Sequence, residues 1–145
     1  MALLFVASGG SNTAPYETWA KAATSLATAL AAATATGDII VIQHDAVPSG
    51  DAELSADTTY TFAGNVALIS ASNDGGSAYT PVTMGTSTWI GNSTTFRSVT
   101  LAGGFRVYIL GVTFRTAGAT ADLVTINTTD RKSTRLNSSH DQRSR

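Results

Sequence analysis

The 145-residue chain contains no cysteine, which rules out disulfides and cysteine-ligated zinc without fixing a compartment. Lysine and arginine are scarce. Before residue 130 the basic side chains are Lys21, Arg97, Arg106 and Arg115, against eight carboxylates at Glu17, Asp38, Asp45, Asp51, Glu53, Asp57, Asp74 and Asp122. That stretch carries a formal charge of 4 − 8 = −4 and has no basic stripe to neutralise phosphates, so nucleic-acid binding has no support. Long apolar runs are missing too. The opening MALLFVASGG lacks a basic flank and is too short for a secretory signal or a membrane-spanning helix. Before residue 130 the sole histidine is His44, and neither a Ser-His-Asp order nor a second histidine supports it as a general base.

What is present reads as one helix followed by strands. The segment LLFVASGGSN, residues 3–12, is a short apolar strand ended by a Gly-Gly turn. Leu26, Ala29, Leu30 and Ala33 then recur at three and four residues, with Thr24 or Ser25 as N-cap and Gly37 as the stop. Trp19, Ala22 and Ala23 extend this apolar stripe backwards, so the helix could begin as early as Thr18. The next segment, GDIIVIQHD, carries four consecutive β-branched residues, Ile39 to Ile42, which suit a strand covered on both faces. Apolar pieces return as VALISAS from Val66, STWIG from Ser87, RVYILGVTF from Arg106 and LVTIN from Leu123. The intervals between their first apolar residues, 27, 23, 18 and 16, are uneven but close to solenoid periods, in which each coil must stack on the next to bury its side chains. No second helical pattern intervenes, which argues against an ordinary βαβ sheet.

The last sixteen residues, DRKSTRLNSSHDQRSR, break this composition with five basic side chains. A basic, serine-rich terminus is ordinarily a disordered arm. However, Asp130 to His140 resembles, residue for residue, the translation of a short-read sequencing adaptor, and the adaptor's later constant bases fit Arg143, Ser144 and Arg145. Residues 130–145 are therefore read as a non-native tail outside the fold. Read-through without a stop codon implies that the gene continued, so the chain is read as an N-terminal fragment.

The run TWAKAATSLATALAAATATGDIIVIQHD, residues 18–45, resembles the opening of right-handed parallel β-helix proteins of the pectate-lyase-like superfamily. The matching positions are Trp19, Ala23, Leu26, Ala29, Leu30, Gly37, Asp38, Ile39 and Val41, and RVYILGVTF resembles a later coil with Gly111 at a bend. The resemblance implies an all-β, truncated right-handed parallel β-helix with one N-terminal capping helix. Its parts are an N-terminal strand and loop over 1–15, a capping-helix region over 16–36 and the first coils over 37–129. In that family the helix covers strand edges and core at the open end of the solenoid. A β-helix beginning a few residues after Met1 is similar to phage virion and tail proteins.

Polysaccharide-cleaving β-helices use carboxylates grouped on one face, with calcium or a basic residue to stabilise developing charge. The acidic group here, Asp45, Asp51, Glu53 and Asp57, is spread through one loop and reads first as a solvated surface. SNDGGS, residues 72–77, is a turn signal without calcium-loop spacing. His44 reads as a strand-end histidine bonded locally, Trp19 as core, and Arg97, Arg106 and Arg115 as separate surface positions despite their nine-residue spacing. No catalytic, cofactor-binding or metal-binding residue is assigned. Trp89, His44, Asp45 and Asp51 are candidates for glycan contact. Three functions remain open. The first is a structural or host-recognition part of a phage or prophage particle, assembled in the host cytoplasm, with virion proteins and surface polysaccharide as partners and a homotrimer by family analogy. The second is a depolymerase whose catalytic coils are missing, and the third an extracellular bacterial adhesin. Neither nucleic acid nor membrane is an expected partner.

Overall fold

The computed structural model describes residues 1–44, 56–82, 84–91, 98–103, 105–115 and 124–127, so the basic segment 130–145 lies outside the described residues. In chain order the elements are β1 (Leu3–Val6), a 3-10 turn (Trp19–Lys21), α1 (Leu26–Ala32), β2 (Asp38–Gln43), β3 (Thr58–Thr61), β4 (Val66–Asn73), β5 (Tyr79–Pro81), β6 (Met84–Gly91), β7 (Val99–Ala102), β8 (Val107–Arg115) and β9 (Val124–Asn127). The described residues are mostly β-strand, with one α-helix.

The β-branched run of β2 is covered on both faces, as its sequence predicts. β1, β2, β4 and β8 pair in parallel, which sets Leu4, Ile40, Leu68 and Ile109 in one column. A second parallel sheet, β3-β7-β9, puts Tyr60, Leu101 and Ile126 in register. Leu4, Val6, Ile40, Ile42 and Leu68 from the first sheet meet Tyr60, Phe62, Val99 and Leu101 from the second in one buried cluster. Truncating a fully buried column residue such as Leu68 to alanine would cost about 2–5 kcal/mol, since contacts to neighbours on both sides go with it.

Helix α1 starts where the Ser25 hydroxyl, as N-cap, accepts from the Thr28 N–H at 3.2 Å. Its buried stripe, Leu26, Ala29 and Leu30, joins the same cluster, and Ala27, Leu30 and Ala31 lie beside Thr59, Tyr60 and Thr61 of β3. The stripe does not extend back to Thr18. Residues 16–23 instead run along the free edge of β1: Phe5 N–H donates to Tyr16 C=O (2.8 Å), Ala23 N–H to Phe5 C=O (2.9 Å) and Ala7 N–H to Ala23 C=O (2.9 Å). Those backbone bonds are incompatible with a continuous helix, and they occupy an edge that would otherwise invite another strand.

The parallel pairing offsets are uneven, as the spacing of apolar runs is: Leu3 pairs with Ile39 (39 − 3 = 36) and Asp38 with Val66 (66 − 38 = 28). Thr58 pairs with Val99 and Val66 with Val107, both 41 residues apart (99 − 58 = 41). Gly91 pairs with Arg115 (115 − 91 = 24) and Val99 with Val124 (124 − 99 = 25). The longer offset contains the antiparallel β4–β5 hairpin, whose base is closed by Val82 N–H donating to Ser70 C=O at 2.8 Å. Of the intervals 27, 23, 18 and 16, the first three fall within the six-stranded sheet and only the last passes to the three-stranded one. At the corresponding point of β8, Gly111 has φ +72°, and a Cβ there would run into the Val82 carbonyl oxygen. Only glycine satisfies both demands. Gly111 separates the half of β8 paired with β4 from the half paired with β6.

Side chains extend the ladder through the corners between the sheets. Asn65 Oδ1 accepts from Arg106 N–H and Asp57 Oδ1 from Ser98 N–H, both at 2.9 Å and both across 41 residues. Asp38, only 2% exposed, accepts from Ala2 N–H at 2.6 Å and Ala35 N–H at 3.0 Å, tying β1 and the end of the helical segment to β2. Burial raises the pKa of this carboxyl, but the bonds from Ala2 and Ala35 and the N-terminal ammonium outweigh it and leave the pKa below its ordinary value. The resulting contribution to stability is complete above the ordinary carboxylate pKa and is lost as pH falls through the lowered folded value. Asp38→Asn should therefore lose about 1–3 kcal/mol at neutral pH and show a flatter decline in stability than the parent below about pH 4. Urea unfolding across this range checks both effects. Parallel curves for the two proteins would show that the Asp38 charge contributes nothing.

Candidate functional site

Parallel pairing points β1, β2 and β4 the same way, so their C-terminal ends emerge side by side. β1 leads into Ala7, Ser8 and Gly9, β2 ends at Gln43 and β4 ends at Asn73. Together with Gly75 and Gly76 these residues line a cleft of about 510 Å3, whose far wall is Trp19 and Ala20. The volume falls in the range of small-molecule sites.

The wall is rigid because Trp19 is fixed at three points. Its ring lies 4.5 Å from Phe5 at 58°, its Nε1–H donates to Ala78 C=O at 2.7 Å, and its backbone N–H donates to Gly76 C=O at 2.9 Å. Trp19 is buried, as its apolar surroundings in the sequence predict, but in a different place. It belongs to a second cluster with Phe5, Ala7, Ala22, Val41 and Ala71, on the face of β1 and β2 away from α1. The 72–77 segment forms the hairpin turn its sequence predicts. Asn73 Oδ1 accepts from Gly75 N–H at 3.1 Å, and Asp74 Oδ2 accepts from Thr80 Oγ1–H at 2.7 Å. Among the described residues, no three acidic, histidine or cysteine side chains gather around a point where a metal ion could sit.

His44 follows Gln43 at the end of β2. It is half-buried, and its N–H donates to Ala71 C=O at 2.9 Å, continuing the ladder towards β4. Asp45 and Asp51, with Glu53, lie outside the described residues. Asp57, the fourth acid of that group, serves a corner hydrogen bond. Trp89 sits in β6 opposite Thr113 of β8, with its side chain outside the described part. Arg106 immediately precedes β8 and Arg115 ends it, so their nine-residue spacing runs along one strand rather than across stacked strands. Arg97 lies outside the described residues. Sequence reasoning did not find Ser8, Gln43 and Asn73 as cleft residues. The available signal was a glycine pair soon after each of two strands, Gly9-Gly10 and Gly75-Gly76, and only parallel pairing brings those pairs together.

No protein-family model, curated protein or solved structure matches this chain. Among the described residues, no helix is long and apolar enough to cross a membrane.

Trp19→Phe keeps the ring packing but removes the Nε1–H bond to Ala78. The variant should lose about 1–2 kcal/mol of stability, the cost of one buried hydrogen bond and its orphaned carbonyl, and amide exchange should accelerate in residues 74–80. Denaturant unfolding and site-resolved exchange test this. Unchanged protection of the hairpin would mean that the indole does not hold it in place.

Proposed function

We propose that the chain is the opening portion of a right-handed parallel β-helix, acting as a non-enzymatic structural or host-recognition part of a phage or prophage particle. The observation that carries this reading is successive parallel pairing in two sheets, β1-β2-β4-β8-β6 and β3-β7-β9, in which each strand returns beside an earlier one. Stacked coils bury their apolar side chains against one another and leave outward positions free for recognition. Thr59, Thr61 and Thr113 occupy such positions and are exposed. The covered edge of β1 fits the start of a solenoid, because it directs stacking to one end. The β-helix reading is supported by the resemblance of residues 18–45 to β-helix openings. A rigid, hydroxyl-rich surface suits bacterial surface polysaccharide as the ligand.

Incubation with a panel of such polysaccharides should give binding to at least one, measured by biolayer interferometry, with no new reducing ends and no unsaturated sugars. Hydrolysis needs two carboxylates placed across the scissile bond, and elimination needs a base with charge stabilisation nearby. Product formation that is abolished by Asp45→Ala or Asp51→Ala would replace this reading with that of a depolymerase.

A further inference from the structure

We propose that the cleft at the C-terminal ends of β1, β2 and β4 binds a neutral saccharide unit, an inference that rests on the polysaccharide-recognition reading above. Its hydrogen-bonding groups are uncharged. Asn73 is exposed and its Oδ1 accepts from Gly75 N–H, so Nδ2 is the group it has to donate, and the exposed Ser8 hydroxyl adds a donor and acceptor. The glycines present bare backbone. At Gly9, Gly75 and Gly76 a Cβ would meet nothing within 4 Å, so a ring can approach peptide groups there without meeting side chains. Opposite them lies an apolar surface, Ala20 and the fixed edge of Trp19, which suits the C–H face of a sugar.

Charge selects the class. Among the described residues, none that lines the cleft is ionisable, and His44 follows Gln43 beside it. Among the described residues of neighbouring segments, Lys21 pairs with Glu17 at 3.1 Å and Asp74 accepts from Thr80 at 2.7 Å. A carboxylated or phosphorylated sugar would lose hydration on entering and gain no cation in return. A neutral sugar exchanges hydroxyl–water bonds for bonds to amide, hydroxyl and backbone groups, and its apolar face covers the wall.

Titrating the 15N-labelled chain with neutral oligosaccharides (glucose, galactose, mannose and N-acetylglucosamine series) and with acidic ones (galacturonate and sialyl series) tests the assignment. Neutral ligands should shift the amides of Ser8, Gly9, Asn73 and Gly76 and the Trp19 indole N–H. Gly9→Leu fills the open space, and Asn73→Asp keeps the cap on Gly75 while replacing the donor with a carboxylate. Each should weaken binding by about tenfold or more with the thermal midpoint unchanged, and the second variant carries the test should the first not fold. Shifts that map to other strands would overturn the cleft assignment and leave polysaccharide recognition standing. Acidic sugars binding the cleft as tightly as neutral ones would overturn the ligand class. No shift with any saccharide would overturn both the cleft assignment and the recognition reading.

Discussion

Ile40 and Leu68 each lie between like residues of adjacent strands, and this stacking is what the other features of the chain accommodate. The Leu4, Ile40, Leu68 and Ile109 column forms only if four segments scattered over more than a hundred residues pair in parallel with a fixed register. A one-residue slip would turn every inward side chain outward. The corners carry the same constraint: Asn65 and Asp57 reach the backbone 41 residues onward, so a side chain supplies the hydrogen bond where the ladder is interrupted. Asp38 does likewise at the start of β2, at the expense of burying a carboxylate.

Fixed register also decides where extra chain is tolerated. The β4–β5 hairpin leaves and rejoins at Ser70 and Val82, whose mutual hydrogen bond lets the stack continue as though nothing had been inserted. The excursion is then used. Its turn carries the Ala78 and Gly76 carbonyls that hold Trp19, and its glycine pair forms one side of the cleft beside Gly9. The cleft thus depends on a hairpin that leaves the parallel sheet, supported by a segment, residues 16–23, that covers the first strand edge.

The residues reveal some of this directly. The capped helix stripe at Leu26, Ala29 and Leu30 and the β-branched run of β2 were legible because each follows a local period. β3 and β7 were not read as strands: TTYT and VTLA are four residues long and the first is mostly threonine, so only pairing across 41 residues identifies them. Extending the helix back to Thr18 failed for a related reason. Alanines at 22 and 23 fit a helix stripe and an extended edge equally well, and backbone bonds to β1 decide between them. Cleft residues Ser8, Gln43 and Asn73 carry no motif. They come together because parallel strands end on the same side. Of the glycan-contact candidates read from the sequence, Trp89, His44, Asp45 and Asp51, the last two lie outside the described residues, and the described groups that line the cleft are uncharged.

Register is therefore the quantity to measure, and a chain without cysteine allows it cleanly. Ala67 and Tyr108 are parallel partners on the outward face of β4 and β8, and strands in a sheet lie about 4.8 Å apart. That spacing is within the Cα range a disulfide spans, about 4.4–6.8 Å, whereas displacement by two residues along the strand exceeds it. Mild oxidation of the Ala67→Cys, Tyr108→Cys pair should give a monomeric disulfide, read by thiol counting and non-reducing electrophoresis, and the Ala67→Cys, Leu110→Cys pair should keep both thiols free. Efficient closure of the displaced pair, or failure of the aligned one in folded protein, would contradict the stacked register.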